Sequence, residues 1–300
     1  MVWGPPIWIY LWLAGMAGGA YFAAYLVNRF SRGTQEPLLR MATYLAVPTA
    51  MIGVLLLIVD LGKPLRFWRL LTEFDNIGSA MWLGTWFLLA FVASAVIMII
   101  LWNGARYVVT KEARLSLARI ADIISGIGAL FAVLVIAYTG VLLASSNQPL
   151  WSATYLVPAL FVTSAVSTGI AFVIVTALVG DSRAVSSRLI SRLAEADALV
   201  ILIELVMLVV YAVWLGASHM EGAAQGLRLL VAGSMAPTFW VGVVALAILI
   251  PLILDISNWG KEIRQRGSAT WLAIMTSSVA VMIGGLLLRF AVVRGGQLVV

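Results

Sequence analysis

The sequence predicts an all-α integral membrane protein with eight transmembrane helices, arranged as two four-helix bundles related by a parallel repeat, N- and C-termini outside. Three observations carry this prediction. Of 300 residues, 63% are hydrophobic and 11% charged, with a mean hydropathy of +1.05. Soluble domains are about 45–50% apolar and about 25% charged, so a globule of this composition lacks the polar surface to cover itself. The apolar residues fall into eight runs, each near the roughly 20 residues that a bilayer-spanning helix needs. Patterns in the first four runs reappear in the last four. A soluble enzyme, a nucleic-acid binder and a disordered chain are excluded.

The first run covers about 6–28. No basic residue precedes it, it is longer than a signal-peptide core, and Arg29 and Arg32 follow it. That is the pattern of an uncleaved anchor with its N-terminus outside. Runs two to four cover about 38–59, 78–101 and 120–145, and runs five to eight about 153–180, 194–216, 236–256 and 269–293. The loops agree with this topology. Arg29, Arg32 and Arg40 belong to the first loop, and Arg106, Lys111, Arg114 and Arg119 to the third. Arg183, Arg188 and Arg192 belong to the fifth, and Lys261, Arg264 and Arg266 to the seventh. These loops share one face and hold 13 of the 19 basic residues; Lys63, Arg66, Arg69, Arg228, Arg289 and Arg294 go to the other. Basic loops mark the cytoplasmic side, so the isoelectric point of about 9.9 reports topology.

Gly19 and Phe22 recur as Gly169 and Phe172, Met81-Trp82-Leu83-Gly84 resembles Phe239-Trp240-Val241-Gly242, and Gln148 parallels Gln297. The shared offset, near 150 residues, divides the chain into a bundle at 1–150 and another at 151–300. Four crossings per unit give both halves the same orientation, with the repeat axis along the membrane normal.

Two counts bound the chemistry. There is no cysteine, hence no disulfide and no thiolate-ligated iron–sulfur cluster. His219 is the single histidine, which excludes bis-histidine haem ligation within the chain and leaves only a formal His/Met option. Metal-borne electrons must come from a partner.

Charge inside a membrane is costly and marks function. Asp60 closes the second run and is followed by Gly62, Lys63, Pro64, Arg66, Trp68 and Arg69. An acid at that place suits a paired or proton-handling role, whereas Trp68 and Arg69 serve equally as interfacial anchors. The topology brings Asn76, Ser79 and Trp82, Tyr138 and Asn147, and the entry of the first run with Trp8, Tyr10 and Trp12 to the same outer surface. Gly15, Gly18 and Gly19 permit close helix packing or leave a slot for a flat ring. An acid, a phenol, amides and indoles around such a slot suit an apolar ligand with carbonyl ends. In the second half, Glu204 lies about ten residues into its run, His219 occupies the position equivalent to Asp60, and Arg289 is near the outer end of the last run. Glu204 suits proton relay or a structural hydrogen bond. Helix rise separates it from Arg289 by roughly 12 Å in depth, against a direct bridge.

These residues resemble the NrfD/polysulfide reductase membrane-subunit family. The likeness is carried by DLGKPLRFW from Asp60 to Trp68 and by Gly78-Ser79-Ala80-Met81-Trp82-Leu83-Gly84. Tyr138-Thr139-Gly140 with Pro149 and Trp151, and Leu288-Arg289-Phe290 with Gly296 and Gln297, extend it over nearly the whole chain. The resemblance implies a quinone-reactive subunit of a respiratory oxidoreductase in the prokaryotic cell membrane. It implies a quinone of menaquinone or ubiquinone type at the outer face of the first bundle, with no haem, iron–sulfur cluster or catalytic metal in this chain. It further implies a ferredoxin-like iron–sulfur subunit docked outside and a molybdopterin or similar catalytic subunit. Asp60 and Tyr138 are then the catalytic pair, with Gly15, Gly18, Arg66, Asn76, Ser79, Asn147 and Trp151 around the quinone. Glu204, His219 and Arg289 are candidate proton-relay residues. Some relatives carry a histidine in the first helix, which this chain lacks. Two other readings stand beside this one. Pro48, Pro158, Pro237 and Pro251 supply kinks for a solute transporter of parallel repeats, and a purely structural anchor needs no site.

Overall fold

A computed structural model describes residues 3–60, 68, 72, 79–105, 107, 110–146, 148–152, 154–180, 185–218, 222–260 and 268–298. Among the described residues, eight helices are long and apolar enough to cross a membrane: α1 Pro5–Phe30, α2 Glu36–Asp60, α3 Ala80–Gly104, α4 Lys111–Ala144, α5 Leu156–Val179, α6 Ser187–Ala217, α7 Thr238–Ser257 and α8 Ser268–Gln297. Two short helices, Pro149–Ser152 and Ala223–Val231, lie between α4 and α5 and between α6 and α7.

The expected runs match these helices closely except at two starts. α4 begins at Lys111 rather than near 120, because Lys111–Arg119 is rich in helix formers. α6 begins at Ser187 rather than near 194; Ser186 caps it by accepting the Leu189 N–H at 3.3 Å. Hydropathy marks where a helix is greasy, not where it stops being helical.

α1 packs on α2, α4, α5 and α8; α2 packs on α3 and α3 on α4. α5 packs on α4, α6 and α8, and α7 on α6 and α8. α1 is the central helix: 72% of its most apolar window is buried, against 33% for α2 and α3. Its small residues allow this. Gly19 and Gly169 meet where α1 crosses α5: a Cβ on Gly19 would strike the Ala165 carbonyl, and one on Gly169 the backbone of Gly19 and Ala20. Backbones this close pack well without a hydrophobic driving force. Gly169→Leu is therefore expected to abolish folded protein, since no side chain can yield to the added atoms. Membrane yield and thermal melting in detergent check this.

Three hydrogen bonds tie α1 and the segment before it to α8. Trp12 Nε1 donates to the Met282 carbonyl at 3.1 Å, Arg289 Nε to the Leu11 carbonyl at 3.3 Å and Gln297 Nε2 to the Trp3 carbonyl at 3.1 Å. Trp8 meets Phe290 edge-on, with ring centroids 5.3 Å apart. α7 is wound as a π-helix over Thr238–Leu249, and its closing α-helical segment, Ile250–Ser257, carries Pro251 at its start. Proline removes an N–H and crowds the preceding turn. Pro48 lies inside α2 without ending it.

Candidate functional site

Two polar assemblies lie within the apolar helices, joined through Arg289. The first is at the end of the α1–α4 group where α1 and α3 begin and α2 and α4 finish. Tyr10 and Tyr138 are 1% and 5% exposed, and their hydroxyls lie within reach of one another. Glycines make room for both rings. A Cβ on Gly84 of α3 would fall within the Tyr138 ring, and one on Gly53 of α2 would come 3.3 Å from Tyr10 Cδ2. Asp60, the exposed last residue of α2, lies at the same end: its Oδ1 is 3.7 Å from where a Gly4 Cβ would stand, just before α1. The structure thus brings together a phenol pair from α1 and α4 at the end where α2 places its carboxylate. Ser79 precedes α3 as its N-cap residue, without a side-chain capping bond.

Other expected ligand contacts have protein partners. The space beside Gly15 is taken by Arg289, whose Nη2 would be 2.8 Å from a Cβ there. The space beside Gly18 is taken by Ile136. Trp151, 1% exposed, donates from Nε1 to the Val292 carbonyl at 2.7 Å and stacks at a tilt on Trp3, 5.1 Å between centroids. Trp151→Phe should cost about 1 kcal/mol through that hydrogen bond, read as a lower melting temperature. Arg66, Asn76, Asn147 and His219 lie outside the described residues.

The second assembly fills the second half. Arg289 is fully buried; Nη1 donates to the Gly285 carbonyl at 2.8 Å and to Ser164 Oγ at 3.3 Å, and its guanidinium lies 5.4 Å over the Phe161 ring. Ser164 also lies against Glu204, so arginine and glutamate interact across a serine. The direct bridge disfavoured by depth is replaced by this three-residue contact. Asp197, two turns from Glu204 along α6, lies beside Ser167 and within electrostatic range of both Glu204 and Asp255. Asp255 in turn lies against Ser277. Glu204 Oε1, Asp197 Oδ1, Ser167 Oγ and Arg289 Nη2 make no hydrogen bond among the described residues. Buried groups left so are costly unless a proton or water joins them. From Leu11 inward, the order is Arg289, Ser164, Glu204, Asp197 and Asp255.

Ser164, Asp197 and Asp255 are absent from the sequence-derived candidates, and Tyr10 is placed there beside the candidate slot without a role of its own. Asp197 and Asp255 fall within four residues of the ends of their apolar runs, where a carboxylate reads as a solvated helix end. The signal available was their pairing with Glu204 along one helix and with serines on the facing ones.

A family described as "Polysulphide reductase, NrfD" matches residues 1–300. The C subunit of the Wolinella succinogenes polysulfide reductase is 29% identical over 99% of this protein and 95% of its own length. Protein NrfD of Escherichia coli is 26% identical over 100% of this protein and 96% of its own length. The NrfD homolog of Haemophilus influenzae is 28% identical, with the same coverage. This membrane protein, with its buried tyrosine pair and its buried arginine and carboxylates, belongs to the NrfD polysulphide reductase family.

Proposed function

We propose that the protein is the membrane-anchoring, quinone-reactive subunit of a respiratory oxidoreductase, exchanging electrons with an iron–sulfur subunit docked at its outer face. Family membership supports the membrane-subunit role. The observation that carries the quinone reading is the buried Tyr10–Tyr138 pair set on Gly53 and Gly84, at the end where Asp60 meets water. The donor set fits such a ligand: phenol hydroxyls can donate to ring oxygens, a carboxylate can accept from a quinol, and the surrounding rings and glycines suit a flat apolar body. A quinol supplies two electrons and two protons. Tyr138, steadied by Tyr10, holds a ring oxygen, and Asp60 takes the two protons in turn and hands each to water outside, while the two electrons pass to the iron–sulfur partner. In the reverse direction the same groups act as acids. With no cysteine and one histidine, the protein leaves the electrons to its partner.

Tyr138→Phe is expected to weaken quinone binding about tenfold, the worth of one hydrogen bond, as read by titration of the assembled complex. Unchanged affinity would remove Tyr138 from the site.

The two four-helix units form matching rings, α1–α2–α3–α4 and α5–α6–α7–α8, which supports the two-bundle division. In this reading the second ring is a proton relay running through Arg289, Glu204, Asp197 and Asp255, with His219 as the outer candidate. Glu204→Gln should leave quinol oxidation in place while lowering proton release or uptake per turnover, followed with a pH-sensitive dye in vesicles. The π-helical stretch of α7 and the buried charges also favour a solute transporter. That alternative requires solute flux in vesicles holding this protein alone.

A further inference from the structure

A second site lies at the opposite end of the first four helices. There α1–α4 and the turn at Gly33 surround a pocket of about 330 Å³. A neighbouring pocket of about 270 Å³ shares Asn28, Gly33 and Asp122 with it. Asn28 is separated from Tyr10 by about 27 Å of helix rise, close to the roughly 30 Å of a bilayer's hydrocarbon core. The pockets therefore sit at headgroup level, on the face whose loops hold 13 of the 19 basic residues.

The lining is built rather than incidental. Arg40 is fixed from both sides: Nε and Nη2 donate to Glu36 Oε1 at 3.0 and 2.8 Å, and its guanidinium carbon lies 5.2 Å over the Trp102 ring. Arg114 lines the first pocket, and Arg29 and Arg32 line the second. Against these four arginines stand Glu36 and Asp122, an excess of two positive charges. Asn28 Oδ1 is buried and accepts no hydrogen bond among the described residues, so the site also calls for a donor. Below the polar rim the walls are apolar, with Met98, Leu101 and Leu117.

We infer that this end of the first bundle binds the headgroup of an anionic phospholipid, of the phosphatidylglycerol type. The phosphate diester offsets one of the two excess positive charges, a glycerol hydroxyl donates to Asn28 Oδ1, and the start of the acyl chains covers the apolar wall. Inorganic phosphate offers the charge but neither the hydroxyl nor the acyl tail. A phosphoethanolamine headgroup offers a donor but, carrying no net charge, leaves the arginine excess in place. Basic pockets between membrane helices take anionic headgroups in this way.

The test is native mass spectrometry of the full-length protein released from nanodiscs holding equal phosphatidylglycerol and phosphatidylethanolamine. The expected result is retention of phosphatidylglycerol over phosphatidylethanolamine. Arg40→Gln and Arg114→Gln should each lower that retention about fivefold, the worth of one arginine near a lipid headgroup. Ala118→Trp fills the pocket without altering charge and should abolish retention, while Arg188→Gln, at the start of α6 and not among the residues lining either pocket, should leave it unchanged. Equal retention of the two lipids would overturn the assignment. So would loss of retention in Arg188→Gln equal to that in Arg40→Gln, or displacement of the lipid by millimolar inorganic phosphate.

Discussion

Arg289→Ala is expected to cost about 3–5 kcal/mol of stability, the range for breaking a buried charge pair by deleting one partner. The truncation removes donors from the Leu11 and Gly285 carbonyls and from Ser164, opens a void against Gly15, and strands Glu204. Arg289→Lys keeps the charge but not the planar fork, so one ammonium cannot span three acceptors on α1, α5 and α8. It should restore part of the stability and little of the function. The double variant Arg289→Gln with Glu204→Gln separates the two effects. Removing both charges relieves most of the stability loss, because a buried pair adds little net stability over neutral replacements. Proton movement through the proposed relay should stay lost. Thermal melting and vesicle acidification, run on the same preparations, read the two effects independently.

The second large effect concerns Asp60. In its proposed role of accepting a quinol proton, it contributes about 10²–10⁴-fold to the rate, the usual range for a positioned general base. Asp60→Asn preserves shape and removes that capacity. Quinol-linked turnover of the assembled complex should fall by at least about 10²-fold, with the amount of folded protein unchanged because the residue is exposed at the end of α2. Activity driven by an artificial donor that reduces the partner directly should not change. A fall in both activities would place Asp60 in assembly rather than in proton transfer.

Much of this architecture was legible in the residues. The eight apolar runs became eight helices, and the repeated Gly19 and Gly169 marked the crossing of α1 and α5. Asp60 and Tyr138 stood out as polar groups in greasy helices, and the structure puts both at one end of the first bundle. Tertiary packing decided what was not legible. Gly15 and Gly18 looked alike along α1, yet one makes room for a guanidinium from α8 and the other for Ile136 from α4. Backbone depth alone disfavours a Glu204–Arg289 contact, because it treats side chains as points on their helices. The long arginine side chain and the intervening Ser164 close that gap. Asp197 was hidden because its apolar run begins near 194 although the helix begins at Ser187, nearly three turns before it; Asp255, two residues from the end of α7, reads as a solvated helix end yet is buried by its neighbours.

The proposed quinone chemistry of the first bundle is tested most directly by quinol reduction of the iron–sulfur clusters of the proposed partner subunit, followed by rapid mixing and electron paramagnetic resonance. The comparison takes the complete complex, the complex without this protein, and the complex carrying Asp60→Asn. Fast reduction is predicted in the first, none in the second, and a rate lower by about 10²-fold in the third. Cluster reduction by quinol at the full rate without this protein would contradict the quinone-reactive role.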